Sequence, residues 1–192
     1  MRTWAGFLRQ FVRDPATIGA VAPSSRTLAV RMVEWIDFGA ADVVVEYGPG
    51  TGAFTAEILR RLRPDATYLG LEVSPVMVSH LRERFPRITV YEDCAANIRS
   101  RLQDHQVDAV DVIISGLPWA LFSEDVQDRI LSESVEALAD GGVFATFAYL
   151  QGLLMPAGIR FRNKLNSMFA AVETSRVTWF NLPPAFVYRC RK

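Results

Sequence analysis

The chain is poor in the residues that build metal centres and disulfide frameworks. Its 192 residues hold two cysteines, Cys94 and Cys190, and two histidines, His80 and His105. Two cysteines give no framework, and both lie in strand-like apolar runs, so buried free thiols in a reducing cytosol are expected. The histidines lack metal-ligand spacing, and no metal site is expected. Neither sign of charge is in excess: Lys plus Arg and Asp plus Glu each number 21. A chain that neutralises many phosphates carries a basic surplus, which argues against broad nucleic-acid binding. A bilayer-spanning run is also missing. The longest uncharged stretch, Gly141 to Ile159, is interrupted in its second half by Gln151, Pro156 and glycines. Near the N-terminus, Arg9, Gln10, Arg13 and Asp14 break up any secretory signal. What remains is half hydrophobic and 22% charged, enough apolar material for the core of one domain spanning residues 1–192.

The apolar spacing sets the order of elements. Trp4, Phe7, Leu8, Phe11 and Val12 form one helical stripe, with Arg2, Arg9, Gln10 and Arg13 off it, and Asp14-Pro15 ends the helix. After Ile18–Pro23, Ser24 or Ser25 caps a helix through Ile36. Strands and helices then alternate: strand Val43–Tyr47, helix Thr51–Leu62, strand Tyr68–Val73, helix Val76–Phe85, strand Ile88–Tyr91, helix Ala96–Leu102, strand Val110–Ile114, helix Asp125–Leu138 and strand Val143–Leu150. A variable segment, Gln151–Ala171, precedes two closing strands, Val177–Phe180 and Ala185–Arg189. Their connection is too short for a crossover helix, so the pair must be antiparallel. The fold class is α/β and Rossmann-like: seven strands, mostly parallel, with an antiparallel C-terminal hairpin and an N-terminal amphipathic helix. This is the pattern of class I methyltransferases.

The chemistry concentrates after the first strand, in Glu46-Tyr47-Gly48-Pro49-Gly50-Thr51-Gly52. Alternate glycines permit a sharp turn and close approach of a ligand, and the helix that follows offers amides. Gly48, Gly50 and Ala53 also fit the dinucleotide fingerprint. Glu46 argues against that ligand, because a carboxylate beside the turn repels a pyrophosphate. S-adenosyl-L-methionine carries an ammonium and a sulfonium and no phosphate, and is the expected cofactor. Glu72, with Val73 after it, ends the second strand where an acid can take both ribose hydroxyls. Glu72 alone does not separate the two cofactors. Asp93 ends the third strand and can accept the adenine amine, while Cys94 and Ala95 offer backbone amides.

The fourth strand runs into Ser115-Gly116-Leu117-Pro118-Trp119, with Ser115 and Gly116 expected among the cofactor-binding residues. Amino-nitrogen methyltransferases often place Asn/Asp-Pro-Pro-aromatic here. This chain keeps the proline and the aromatic but has Ser115-Gly116 where the amide usually stands, which speaks against adenine-type recognition. Trp119 and Phe122 offer an aromatic wall for a methylated ammonium, or Trp119 packs beneath a loop. Tyr149 and Tyr188 are candidates to bind or deprotonate an amine, or are core tyrosines.

Taken together, Ile18–Ser25, the glycine loop, Ser115–Pro118 and Pro183-Pro184-Ala185-Phe186-Val187-Tyr188-Arg189 resemble the bacterial phospholipid N-methyltransferases. The resemblance covers almost the whole chain. It implies stepwise methylation of phosphatidylethanolamine towards phosphatidylcholine by a cytoplasmic, monomeric enzyme that visits the inner membrane surface. It implies that residues 1–14 bind the membrane through Trp4, Phe7, Leu8 and Phe11; the residues alone favour a lid packed on the core. Arg160, Arg162 and Lys164, after the apolar Leu153–Ile159, are cations that can meet lipid phosphates, or they are the solvated basic face of a surface helix. The expected acceptor side comprises Ser24, Leu117, Trp119, Phe122, Arg160 and Arg162. Other readings are an ornithine-lipid or other aminolipid N-methyltransferase, an rRNA adenine dimethyltransferase, and a non-catalytic membrane-associated binding protein.

Overall fold

The computed structural model describes residues 25–192. The expected membrane helix with Trp4, Phe7, Leu8 and Phe11, and the candidate Ser24, lie outside the described residues. The chain forms strands β1 (Val43–Tyr47), β2 (Thr67–Glu72), β3 (Thr89–Glu92), β4 (Val110–Ser115), β5 (Leu138–Tyr149), β6 (Ala171–Thr174) and β7 (Ala185–Arg191). Its helices are α1 (Arg26–Val33), α2 (Ala53–Leu59), α3 (Pro75–Arg84), α4 (Ile98–Asp104), α5 (Glu124–Ala137) and α6 (Pro156–Met168). One seven-stranded sheet runs in the order β3-β2-β1-β4-β5-β7-β6. β1 to β5 are parallel, and β7 is antiparallel to both β5 and β6.

β1 is buried along its whole length because both faces of the sheet are covered. Val45 and Tyr47 pack with Ile98, Leu102, Ile130 and Leu131 of α4 and α5. Val44, one pleat away, packs with Leu28 and Met32 of α1 and Phe54 and Ile58 of α2. This period of two also decides the side taken by Glu46. α1 begins where Ser25 accepts a hydrogen bond from the Leu28 amide at 3.2 Å, a cap of the kind that contributes about 1 kcal/mol. α3 begins with Ser74 capping Met77 and with Pro75 in its first turn.

Two expectations are corrected. The partner of β7 is Ala171–Thr174, not Val177–Phe180. Ser175 breaks the ladder: its amide donates to the Val187 carbonyl, and its hydroxyl accepts from the Val187 amide. The chain then leaves the sheet and touches it again only through the Thr178–Ala185 bridge. Second, the variable segment is ordered. It forms a 3-10 turn, Leu150–Leu154, and then α6, whose Phe161 and Leu165 are buried. β1, β2, β4 and β5 end, and β7 begins, at one edge of the sheet, since Tyr149 pairs with Ala185.

Candidate active site

Along that edge lies a cavity of about 490 Å³. Its near wall is the loop Gly48-Pro49-Gly50-Thr51, together with Glu72, Val73, Met77, Cys94 and Ala95. Its far wall is Gly116, Leu117, Trp119, Phe122, Phe147, Tyr149, Phe161 and Tyr188.

The loop is built by its glycines. Gly48 and Gly50 have φ of +60° and +55°, a region costly for residues with a Cβ. Gly48 also leaves no room: a Cβ there would lie 2.9 Å from Leu117 Cδ2. Across from it, a Cβ on Gly116 would lie 2.8 Å from the Gly48 carbonyl oxygen, so the β1 and β4 ends touch backbone to backbone.

The amides of the three loop glycines are all satisfied within the protein. Gly48 N donates to the Leu71 carbonyl (2.9 Å), Gly52 N to the Pro49 carbonyl (2.9 Å) and Gly50 N to Glu72 Oε2 (3.0 Å). Glu72 is 4% exposed, and its Oε1 accepts the Ser74 amide at 3.0 Å. Burial raises its pKa, while the Ser74 and Gly50 amides act the other way. It is the sole charged side chain on the cavity wall among the described residues. With no lysine or arginine there and with the glycine amides occupied, the wall offers a pyrophosphate little. A carboxylate held by two amides suits a ribose diol and a cationic ligand. These residues fit S-adenosylmethionine.

Glu46 does not reach the cavity. The pleat sends it to the α2 side, where it is fully buried and accepts from Tyr68 OH (2.6 Å) and Thr55 Oγ1 (2.8 Å). Its Oε1 has no partner among the described residues. Burial pushes its pKa up to about 7, against the opposing pull of Tyr68 and Thr55. Asp93 is likewise off the wall. Its Oδ1 accepts from the Cys94 amide (2.7 Å) and Asn97 Nδ2 (2.6 Å), and its Oδ2 takes the Arg101 guanidinium. Burial works to raise its pKa, but Asn97, the Cys94 amide and Arg101 outweigh it and hold the carboxyl below its ordinary value. All its lone pairs are committed, which leaves none for an adenine amine. It fixes the turn that brings Cys94 and Ala95 to the wall, and burial pushes the Cys94 thiol up to about 11, so it stays protonated there.

Ser115 is a further correction. It is fully buried and off the wall; its Oγ accepts from Trp119 Nε1 at 3.0 Å, and its carbonyl accepts from Thr146 Oγ1 at 3.2 Å. Ser115 thus holds the tryptophan rather than a ligand. Trp119 is 2% exposed and stacks on Phe161 with ring centroids 5.2 Å apart and planes at 19°. Phe122 meets it edge-on at 5.9 Å. Trp119 packs beneath the loop and also lines the cavity. Buried Gln127 closes that loop, donating to the carbonyls of Trp119 (2.8 Å) and Phe122 (3.3 Å).

Tyr149 and Tyr188 both line the cavity. Burial raises the pKa of each, with Arg162 acting in the lowering direction on Tyr188. Phenols so placed are neutral at physiological pH and serve as hydrogen-bonding groups, not bases. The two arginines part company. Arg160 is bound to Glu124 at 2.9 Å, whereas Arg162 borders a smaller cavity of about 260 Å³ beside Asn163 and Asn166. Sequence reasoning missed Phe54, Met77, Phe147 and Phe161 as cavity residues. The helical spacing of Phe161 and Leu165 was the available signal for the last.

Comparison with known proteins agrees with this geometry. The family model described as "Methyltransferase domain" matches residues 44–142, just over half of the chain. An ornithine lipid N-methyltransferase from Singulisphaera acidiphila is 30% identical over 194 residues, covering 100% of this chain and 97% of that one. Among solved structures, an O-methyltransferase from Bacillus cereus in complex with SAH has a TM-score of 0.70 at 14% identity, covering 96% of this chain and 90% of that one. The N-methyltransferase NodS from Bradyrhizobium japonicum WM9, in complex with S-adenosyl-L-homocysteine, has a TM-score of 0.66 at 14% identity, covering 96% and 98%. The chain belongs to the methyltransferase-domain family, on the Rossmann-like class I methyltransferase fold.

Proposed function

We propose that this protein methylates the amino group of a lipid, with an ornithine-type aminolipid as the first substrate to try. The cofactor is S-adenosylmethionine. When bound, it supplies an electrophilic methyl on a sulfonium. The observation that carries the reading is the division of the cavity: a wall that holds Glu72, its one carboxylate among the described residues, faces a wall made almost wholly of aromatic and aliphatic side chains. An amine attached to a hydrocarbon body suits such a wall. As the amine gains methyl groups and ends as a quaternary cation, a wall rich in aromatic rings favours it.

The protein's own contribution is orientation and exclusion of water. The described residues of the wall include no histidine or free carboxylate to serve as a base. The amine therefore loses its proton to solvent before it is enclosed, and Tyr149 and Tyr188 accept or donate hydrogen bonds to it. The whole-length similarity to an ornithine lipid N-methyltransferase supports the aminolipid class. Phosphatidylethanolamine, the substrate expected from the sequence resemblance, is the second reading. It rests on the resemblance carried by the motif Pro183–Arg189, of which Pro183 and Tyr188 line the cavity. Peripheral association with an anionic membrane surface, on the cytoplasmic side, completes the proposal.

The test is a panel. Purified protein and methyl-labelled cofactor are incubated with vesicles containing ornithine lipid, vesicles containing phosphatidylethanolamine, vesicles lacking amines, and RNA. Label is expected in the ornithine lipid. Label only in phosphatidylethanolamine would select the second reading, and label in RNA or in no acceptor would overturn both.

A further inference from the structure

The exposed large apolar side chains of the described residues lie along one edge of the sheet. Among the described residues, those left open to solvent are Val76, Leu121, Leu154, Met155, Ile159, Trp179, Phe180 and Leu182. Val76 opens α3 directly after β2, Leu121 follows β4, and Leu154, Met155 and Ile159 follow β5. Trp179, Phe180 and Leu182 lie in the loop that enters β7, beside the end of β5. All eight therefore stand on the edge of the sheet that carries the cavity mouth, and Leu121 and Met155 also line the cavity itself.

The exposure is imposed by the local structure. Phe180 is 90% exposed, Leu182 83% and Trp179 68%, yet the polar residues beside them, Thr178 and Asn181, are buried. Asn181 Oδ1 accepts from the Ser25 amide (3.1 Å), and its Nδ2 donates to the Pro183 carbonyl (2.7 Å). Thr178 N donates to the Ala185 carbonyl at 2.7 Å. The loop is pinned by its polar groups and holds its apolar ones outward, the reverse of an ordinary surface turn. A patch of this kind marks an interaction site. Arg176, in the same loop, is exposed and has no ion-pair partner among the described residues. A tryptophan and a cation flanking aliphatic side chains match the chemistry of a lipid–water interface.

We propose that the loop bearing Trp179, Phe180 and Leu182, with Leu154, Met155 and Ile159 beside it, inserts into the lipid surface and seats the cavity mouth there. The inference rests on the aminolipid reading above. A lipid acceptor must keep its hydrocarbon tails out of water while its head group enters the cavity. An apolar collar around the mouth gives the tails a continuous apolar path.

The test uses the full chain with Trp179→Ser, Phe180→Ser and Leu182→Ser combined, and Leu154→Ser as a second variant. None of these four residues lines the cavity. Sedimentation with phosphatidylcholine vesicles containing anionic lipid should show partitioning reduced at least about tenfold in the triple variant and less in the single one. Cofactor affinity by calorimetry and the melting temperature should be unchanged. Activity should fall on vesicle-borne aminolipid and persist on a short-chain, water-soluble aminolipid. Equal vesicle partitioning of wild type and triple variant would overturn the collar. So would a wild-type dimer, seen by light scattering, that the triple substitution dissociates without changing partitioning, because the patch would then belong to a second copy. If neither form of aminolipid is methylated by wild type that binds vesicles and cofactor, the functional reading fails while the collar stands.

Discussion

The two walls of the cavity are held in place by different forces. The cofactor side is fixed by hydrogen bonds: three glycine amides turned inward, Glu72 gripped by two backbone amides, and Asp93 saturated by Asn97, Arg101 and the Cys94 amide. The acceptor side is fixed by ring packing, with Trp119 stacked on Phe161 and edge-on to Phe122 and Phe144. Hydrogen bonds have short, directional geometry, so one wall is rigid around a single ligand. Aromatic packing constrains shape with few polar demands, so the other wall tolerates change in what it accepts. A family can keep one wall and vary its substrate through the other.

The largest effect that sharpens this contrast is Trp119→Ala. Emptying a buried site between Phe161, Phe122 and Phe144 is expected to cost about 3–5 kcal/mol, read as a lowered denaturant midpoint, with acceptor turnover lost as well. Glu46→Gln comes next, and its sign depends on pH. The folded pKa of Glu46, about 7, lies above its unfolded value of 4.5, so the folded state holds the proton more tightly. Its contribution is fully present below pH 4.5 and is lost as pH rises through 7, at about 1.4 kcal/mol per pH unit, on the order of 3 kcal/mol in all. The stability of wild type relative to the glutamine variant should therefore fall by that amount between pH 4.5 and 8 in parallel urea titrations. A flat difference would show Glu46 ionised in its buried site.

Gly50→Val attacks the hydrogen-bonded wall. Its φ of +55° costs a branched residue about 1–3 kcal/mol, which the fold should survive. Cofactor affinity should fall at least about a hundredfold by calorimetry, and unchanged affinity would remove the loop from the site. Tyr188→Phe is the mildest. Loss of one hydrogen bond to the acceptor should lower kcat/KM no more than about tenfold. Both proteins should show a rate rising with pH as the amine sheds its proton, since the phenol is no base. A rising limb abolished by the substitution would reverse that assignment.

The same contrast explains what the sequence discloses. The glycine loop and Glu72 were legible because turn chemistry and strand ends leave a spacing that one can count. Glu46 was misplaced because β1 is covered on both faces, and an unbroken apolar run hides which pleat a residue occupies. Asp93 and Ser115 were read as ligand contacts because spacing reveals a residue's position at a strand end but not the neighbours that consume its lone pairs. The closing strand was misplaced for a related reason. Val177–Phe180 has strand-forming side chains yet serves as an outward loop, while the true edge strand Ala171–Thr174 is mostly exposed and carries no apolar signal. α6 stayed open between a surface helix and an apolar and basic membrane contact, because only Phe161 and Leu165 of its thirteen residues are buried.

Asn181 spans two parts of the chain that are 156 positions apart, gripping the amide that opens α1 with one end of its carboxamide and the Pro183 carbonyl with the other. One side chain thereby ties the start of α1 to Pro183 on the cavity wall, so the closing loop and the first helix are held as one piece.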